Sequence, residues 1–97
     1  MRFIWDESKN STNRKRHGVS FEQASTLFAR GNEYLDIFDE AHSYDEDRFI
    51  AIGPISRGIV LVVYTEEEDD VVRIISARFA TKREAELYRC YVGGGPR

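Results

Sequence analysis

Arg48-Phe49-Ile50-Ala51-Ile52-Gly53, Gly58-Ile59-Val60-Leu61-Val62-Val63-Tyr64-Thr65 and Val71-Val72-Arg73-Ile74-Ile75-Ser76-Ala77-Arg78 are apolar runs of strand length. Their β-branched content, and the turn chemistry between them, predict consecutive strands. Gly53-Pro54 ends the first. The second is almost continuously apolar and reads as a buried central strand. Glu66 to Asp70 makes a charged hairpin tip before the third. Strands joined by short hairpins form an antiparallel sheet.

Outward from this block, Arg2-Phe3-Ile4-Trp5 and Tyr34-Leu35-Asp36-Ile37-Phe38 read as further short strands, and Asp39 to Asp47 as an acidic turn region. Ser20 to Gln23 is a capping box, and Val19 with Ala24 fits a hydrophobic staple. Phe21, Ala24, Leu27 and Phe28 then recur at helical spacing, and Gly31-Asn32 ends that helix. A second capping box, Thr81 to Glu84, opens a helix with Ala85, Tyr88 and Val92 on one face. Gly93-Gly94-Gly95-Pro96 closes it, leaving 93–97 as a loose tail on a single domain over 1–92. The order is β-α-α-β-β-β-β-α. It predicts an α+β fold, with a small antiparallel sheet, helices on one face and the other face partly open for binding.

One segment breaks the pattern. Asp6 offers an N-cap and Gly18 a helix terminator, but Asp6 through His17 contains no apolar residue. A helix polar all round needs another use for its surface. Near 100° per residue, Asp6, Lys9, Asn13 and His17 share one stripe.

The chain has 97 residues and a formal charge of −3, but the charge is unevenly placed. Residues 1–30 hold six basic and three acidic side chains, residues 31–70 two and twelve, residues 71–97 six and two. A globally basic nucleic-acid binder is excluded, whereas a basic surface built from the two ends of the chain is not. No apolar stretch has the length of a membrane span or a signal region. Cys90 stands alone and is most simply a core thiol, and the reading is cytosolic.

Motifs for common metal and nucleotide chemistry are missing: there is no HExxH, no Cys/His zinc spacing, no P-loop and no GxGxxG. Glu66-Glu67-Glu68-Asp69-Asp70 lacks the alternating ligands and glycine turn of an EF-type calcium loop. No metal or cofactor is expected. Arg14-Lys15-Arg16-His17 suits a helix C-terminus, where the macrodipole favours cations, and equally suits a grip on a polyanion such as an RNA backbone. In the third strand, Arg73 and Arg78 point to opposite faces unless a bulge intervenes. One is then an ion-pair partner of an acidic residue near Glu46. The other, for which Arg78 is the choice, belongs to the site, because Lys82 and Arg83 follow at a helix start that disfavours cations unless an anion meets them. His17 and His42 are the only imidazoles, and His17 sits in the cationic cluster. Tyr88 fits the core or the site equally.

Phe3, Trp5-Asp6, Lys9, Asn13, Arg16-His17-Gly18-Val19 and Phe21 together resemble the start of the BrnT family. Arg73 to Arg78, followed by Ala80-Thr81, Glu84 and Tyr88, resembles its end, with Arg48 to Gly53 and Val63-Tyr64-Thr65 matching in between. The family usually carries Lys where Arg16 stands, which keeps the charge but removes a group able to lose a proton. The resemblance implies a ribonuclease toxin of a type II toxin–antitoxin pair, RelE-like in fold. It also implies a co-encoded antitoxin of the BrnA kind, which binds operator DNA itself, so that DNA is met only through a toxin–antitoxin hetero-oligomer.

Metal-free RNA cleavage uses the substrate's 2′-OH as nucleophile and needs a base, an acid and cations for the phosphorane. On that scheme Arg16 and Arg78 stabilise phosphate charge and His17 is acid or base. Tyr88 stacks on a base or donates a proton. Lys9, Asn13, Arg14, Lys15, Lys82 and Arg83 hold the RNA. The competing reading is a non-catalytic module whose basic surface receives an acidic partner segment.

Overall fold

The structure, a computed structural model, describes residues 1–29 and 31–93; the expected tail beyond Gly93 lies outside them. Five strands, β1 (Arg2–Ile4), β2 (Leu35–Phe38), β3 (Phe49–Ile55), β4 (Gly58–Glu67) and β5 (Val71–Phe79), form one sheet in the order β1-β5-β4-β3-β2. Three helices complete the α+β fold: α1 (Glu7–His17), α2 (Phe21–Ser25), continued by a 3-10 turn over Thr26–Phe28, and α3 (Lys82–Val92). The sheet is mixed rather than wholly antiparallel. β2 to β5 pair antiparallel as the hairpins require, but β1 runs parallel to β5. Most of the chain separates these two strands, so no tight turn dictates their relative direction.

The predicted strand end at Gly53-Pro54 is also corrected, because β3 continues to Ile55. Gly53 is there for close packing: a Cβ on it would lie 2.6 Å from Leu27 Cδ1 and 2.8 Å from the Tyr34 Cβ. Pro54 sits next to the β3–β4 turn, where a missing N–H is tolerated.

The polar helix α1 packs through asparagines. Asp6 caps it by accepting from the N–H groups of Ser8 and Lys9, and Gly18 ends it with φ +75°. Asn10, 2% exposed, accepts from the N–H of Phe21 and donates to the Glu7 and Glu22 carboxylates. Asn13 accepts from the N–H of Ala77 and donates to the carbonyls of Ala77 and Val19. β1 covers only residues 71–73 of the β5 edge, so Asn13 continues that edge where the strand partner stops. An apolar stripe is unnecessary because the surfaces met are backbone amides.

The main core joins Val19, Phe21, Ala24 and Leu27 to Ala51, Val60, Val62, Val72, Ile74 and Ala77. Ile52 and Leu61 point the other way and are also buried. α3, which packs on β3 and β2, covers them. The helices therefore lie on both faces, correcting the expectation of one: sheet residues with alternating burial on both sides need two covers. Between α3 and the acidic loop, the row Ile37, Ile50, Val63 and Ser76 stays partly open, so the expectation of a partly open face holds for that row.

The topology sorts charge. The β3–β4 turn, the end of β5, the start of α3 and the C-terminus of α1 share one end of the strands, with Arg57, Lys82, Arg83 and the Arg14–His17 cluster. The 39–48 loop and the β4–β5 tip, with most of the acidic residues, share the opposite end.

Candidate functional site

α1 runs beside the free part of the β5 edge and leaves a cleft of about 260 Å³ between them. Lys9, Asn13, Arg16 and His17 line its helical side, and Ile75 and Ser76 its strand side. The stripe on α1 read from the sequence thus faces this opening at Lys9, Asn13 and His17.

A β-bulge shapes the strand side. Val63 pairs with Ser76 while Tyr64 pairs with Ile74, which leaves Ile75 as an extra residue. Bulges re-aim the side chains around them. This one also puts Arg73 and Arg78, paired with Thr65 and Leu61, on the same sheet face. The simple alternation that separates them is interrupted between them.

The cations differ in freedom. Lys15, Arg16, His17, Lys82 and Arg83 have no ion-pair or hydrogen-bond partner among the described residues. Arg14 lies close enough to Glu22 to favour its ionised form, although the Asn10 hydrogen bond is the larger cause of that carboxyl's lowered pKa. Four basic side chains in the last turn of α1 meet the negative end of its dipole. A fifth arrives from the β3–β4 turn, since the Arg57 guanidinium donates to the Gly18 carbonyl and lies 5.2 Å from the centroid of the Phe79 ring. Nothing local in the sequence marks Arg57, because a lone arginine in a turn carries no sign of what it reaches.

Arg78 lies two residues from Ser76 on the same sheet face but does not line the cleft. Its guanidinium is forked onto Glu84, with both N···O distances 2.8 Å, and Glu84 also accepts from the Thr81 N–H in the capping box. The Arg78 hydrogen bonds hold the Glu84 carboxyl down at about 2, and the same bonds raise the arginine's pKa. Arg73, by contrast, binds Glu67 and Glu46, the structural ion pair expected near Glu46.

The predicted site residues therefore fall into two groups. Lys9, Asn13, Arg16 and His17 meet in the cleft, with Arg14 and Lys15 on the same last turn. Lys82, Arg83 and half-buried Tyr88 lie on α3 and do not line it. Asn13 lines the cleft, but both its amide hydrogens are used by backbone carbonyls, so its first task is structural. His42 pairs with Asp39 in the acidic loop, away from the cleft. Cys90 is half-buried on α3 rather than in the main core.

No helix among the described residues is long and apolar enough to cross a membrane. No curated protein matches the chain. Among solved structures it is similar to the 1.1 Å crystal structure of the Brucella abortus ribonuclease toxin BrnT, with 28% identity and a TM-score of 0.63. That alignment covers 84% of this chain and 99% of the other. The model of the BrnT family, described as the ribonuclease toxin of a type II toxin–antitoxin system, matches residues 5–84, which include all of α1 and its cleft. The polar helix, the cationic cleft and the bulged strand beside it are thus the features of a chain that belongs to the BrnT family of ribonuclease toxins.

Proposed function

We propose that the chain is an endoribonuclease that cleaves RNA without a metal, by attack of the substrate's own 2′-OH on the adjacent phosphorus. A base removes the 2′ proton, the new O–P bond forms, and the 5′-oxygen leaves with a proton from an acid. The observation that carries this reading is the cleft in which Lys9, Arg16 and His17 converge, with unpaired cations around it. Arg16 stabilises the phosphorane charge and His17 serves as base or acid. Lys9, Arg14 and Lys15 hold the backbone on the α1 side, and Lys82 and Arg83 extend the track past the β5 end. Arg78, on the sheet face of Ser76, adds a second guanidinium, fixed by Glu84 rather than mobile. Tyr88 stacks on a base or donates a proton. Asn13 holds the β5 edge in place for the cleft and meets the RNA from there. An antitoxin of the BrnA kind neutralises this cytosolic activity by binding the toxin in a hetero-oligomer, and supplies the operator-DNA contacts.

The free chain, separated from its antitoxin, is incubated with RNA in EDTA. Cleavage leaving 2′,3′-cyclic phosphate ends, abolished on adding the antitoxin back, is the expected result. Arg16→Ala and His17→Ala should each lower the rate by about 10²–10³ with folding retained. Undiminished cleavage by Arg78→Ala removes Arg78 from the site. A folded chain that cleaves neither naked RNA nor RNA on translating ribosomes leaves a binding module.

A further inference from the structure

At the edge of the sheet farthest from α1, the surface has the opposite character. Among the described residues β2 pairs only with β3, so alternate backbone N–H and C=O groups of its four residues point outward. Ile37 and Phe38 are 39% and 47% exposed there, on opposite faces of the strand. On the α2 side of the sheet, β2 borders a small cavity of about 160 Å³. The rings of Phe28, Tyr34 and Tyr64 wall it, with Phe28 5.1 Å from each of the two tyrosine centroids, and Met1, whose ammonium is held by Asp70, and Val72 close it on the β1–β5 side. Asp36 and Glu66 stand in the same lining, and the Tyr64 hydroxyl donates to Asp36 at 2.7 Å. Burial first, and then the negative field of these two carboxylates, raises the pKa of the Tyr34 hydroxyl. Glu66 has no ion-pair partner among the described residues. The cavity is too small for a nucleotide, since small-molecule sites run to about 300–1,000 Å³. It suits one ammonium or guanidinium group, which aromatic faces and carboxylates attract together. From Glu33 to Asp47 the chain has seven acidic side chains and no Lys or Arg.

The geometry points to β2 and this cavity as the docking site for an extended, basic–apolar segment of the antitoxin, which adds a strand to β2 and places an Arg or Lys between Asp36 and Glu66. This rests on the toxin–antitoxin reading but not on the ribonuclease mechanism. A segment so paired alternates its side chains between the two faces. Its basic residues fall on the cavity side, beside Asp36, and its apolar ones on the other side, beside Ile37. The occupant is distinct from an acidic segment over the cationic cleft, and β2, where its strand would pair, lies at the sheet edge opposite α1.

The test uses a capped, alternating Arg–Val heptapeptide titrated into the free chain and followed by backbone amide NMR. Shift changes at residues 34–38 and 64–66 are expected. Replacing each Arg by citrulline, or pairing wild-type peptide with the Asp36→Asn/Glu66→Gln chain, should weaken binding about tenfold or more. Both substitutions are isosteric, Glu66 is exposed and the Asp36→Asn side chain still accepts from the Tyr64 hydroxyl, so the fold should be retained, with a small drop in thermal midpoint at most, and the RNA cleavage rate should stay unchanged. The same double variant should weaken the complex with the co-encoded antitoxin by a similar factor. Equal binding of the citrulline peptide, shifts confined to the α1 cleft, self-association through β2, or unaltered antitoxin affinity each overturns the proposal. Failure to cleave RNA leaves it standing, so the two readings fail separately.

Discussion

Glu84 joins two structural jobs, since it closes the capping box of α3 and forks onto Arg78. Its carboxyl is held at about 2, chiefly by the Arg78 hydrogen bonds, against an ordinary 4.5. A carboxyl with a lowered folded pKa contributes stability that is complete above its unfolded value and lost as pH falls through the folded one. Thermal midpoints of the wild type and Glu84→Gln should therefore differ most near neutral pH. The difference should shrink as pH drops from about 4.5 toward 2, and a constant gap over that range would sink the assignment. At pH 7 a loss of about 1–2 kcal/mol is expected, modest because the Arg78 side chain is more than a third exposed.

At the scale of elements, α1 and β3 show where sequence reading worked and where it stopped. The caps Asp6, Ser20, Thr81 and Gly18 were legible because each acts within four residues of itself. So were the three central strands. The partners of Asn10 and Asn13 were not, because one lies at Phe21 and the other at Ala77, and a polar helix gives no periodic signal of where it docks. Asn13→Ala strands the Ala77 N–H and two carbonyls near a buried edge, and should cost about 1–3 kcal/mol. In a domain of this size that is a drop in thermal midpoint of some 4–8 °C per kcal/mol. Calorimetry checks it, and an unchanged midpoint would mean that water takes over those groups. Gly53-Pro54 reads as a stop because glycine followed by proline punctuates chains, but the close packing of Leu27 and Tyr34 explains the glycine better. Gly53→Ala forces those contacts apart and should destabilise by about 1–3 kcal/mol, measured by urea unfolding.

For the whole molecule, fold class and charge blocks are legible directly, while the geometry of the candidate site is legible only in part. Lys9, Arg16 and His17 recur within one helix, so their convergence follows from helical geometry. Arg57 and the direction of Arg73 depend on a turn and a bulge elsewhere in the chain. The separation of charge into two ends carries a further prediction. Cleavage of RNA under kcat/KM conditions should fall steeply between low and physiological salt, and less steeply in a Lys15→Gln/Lys82→Gln chain. A salt-independent rate would mean that these cations do not steer the substrate.

The same separation gives the protein a dipole along its strands, and a dipole feels torque in the field of a long polyanion. Arriving from any direction, the molecule is turned so that the end carrying Arg16, Arg57 and Lys82 leads, while the acidic loop and hairpin tip trail and are repelled. Fewer collisions are then wasted on the wrong side. A chain with a net charge of −3 thereby meets a polyanion as though it were basic, at one end of its strands.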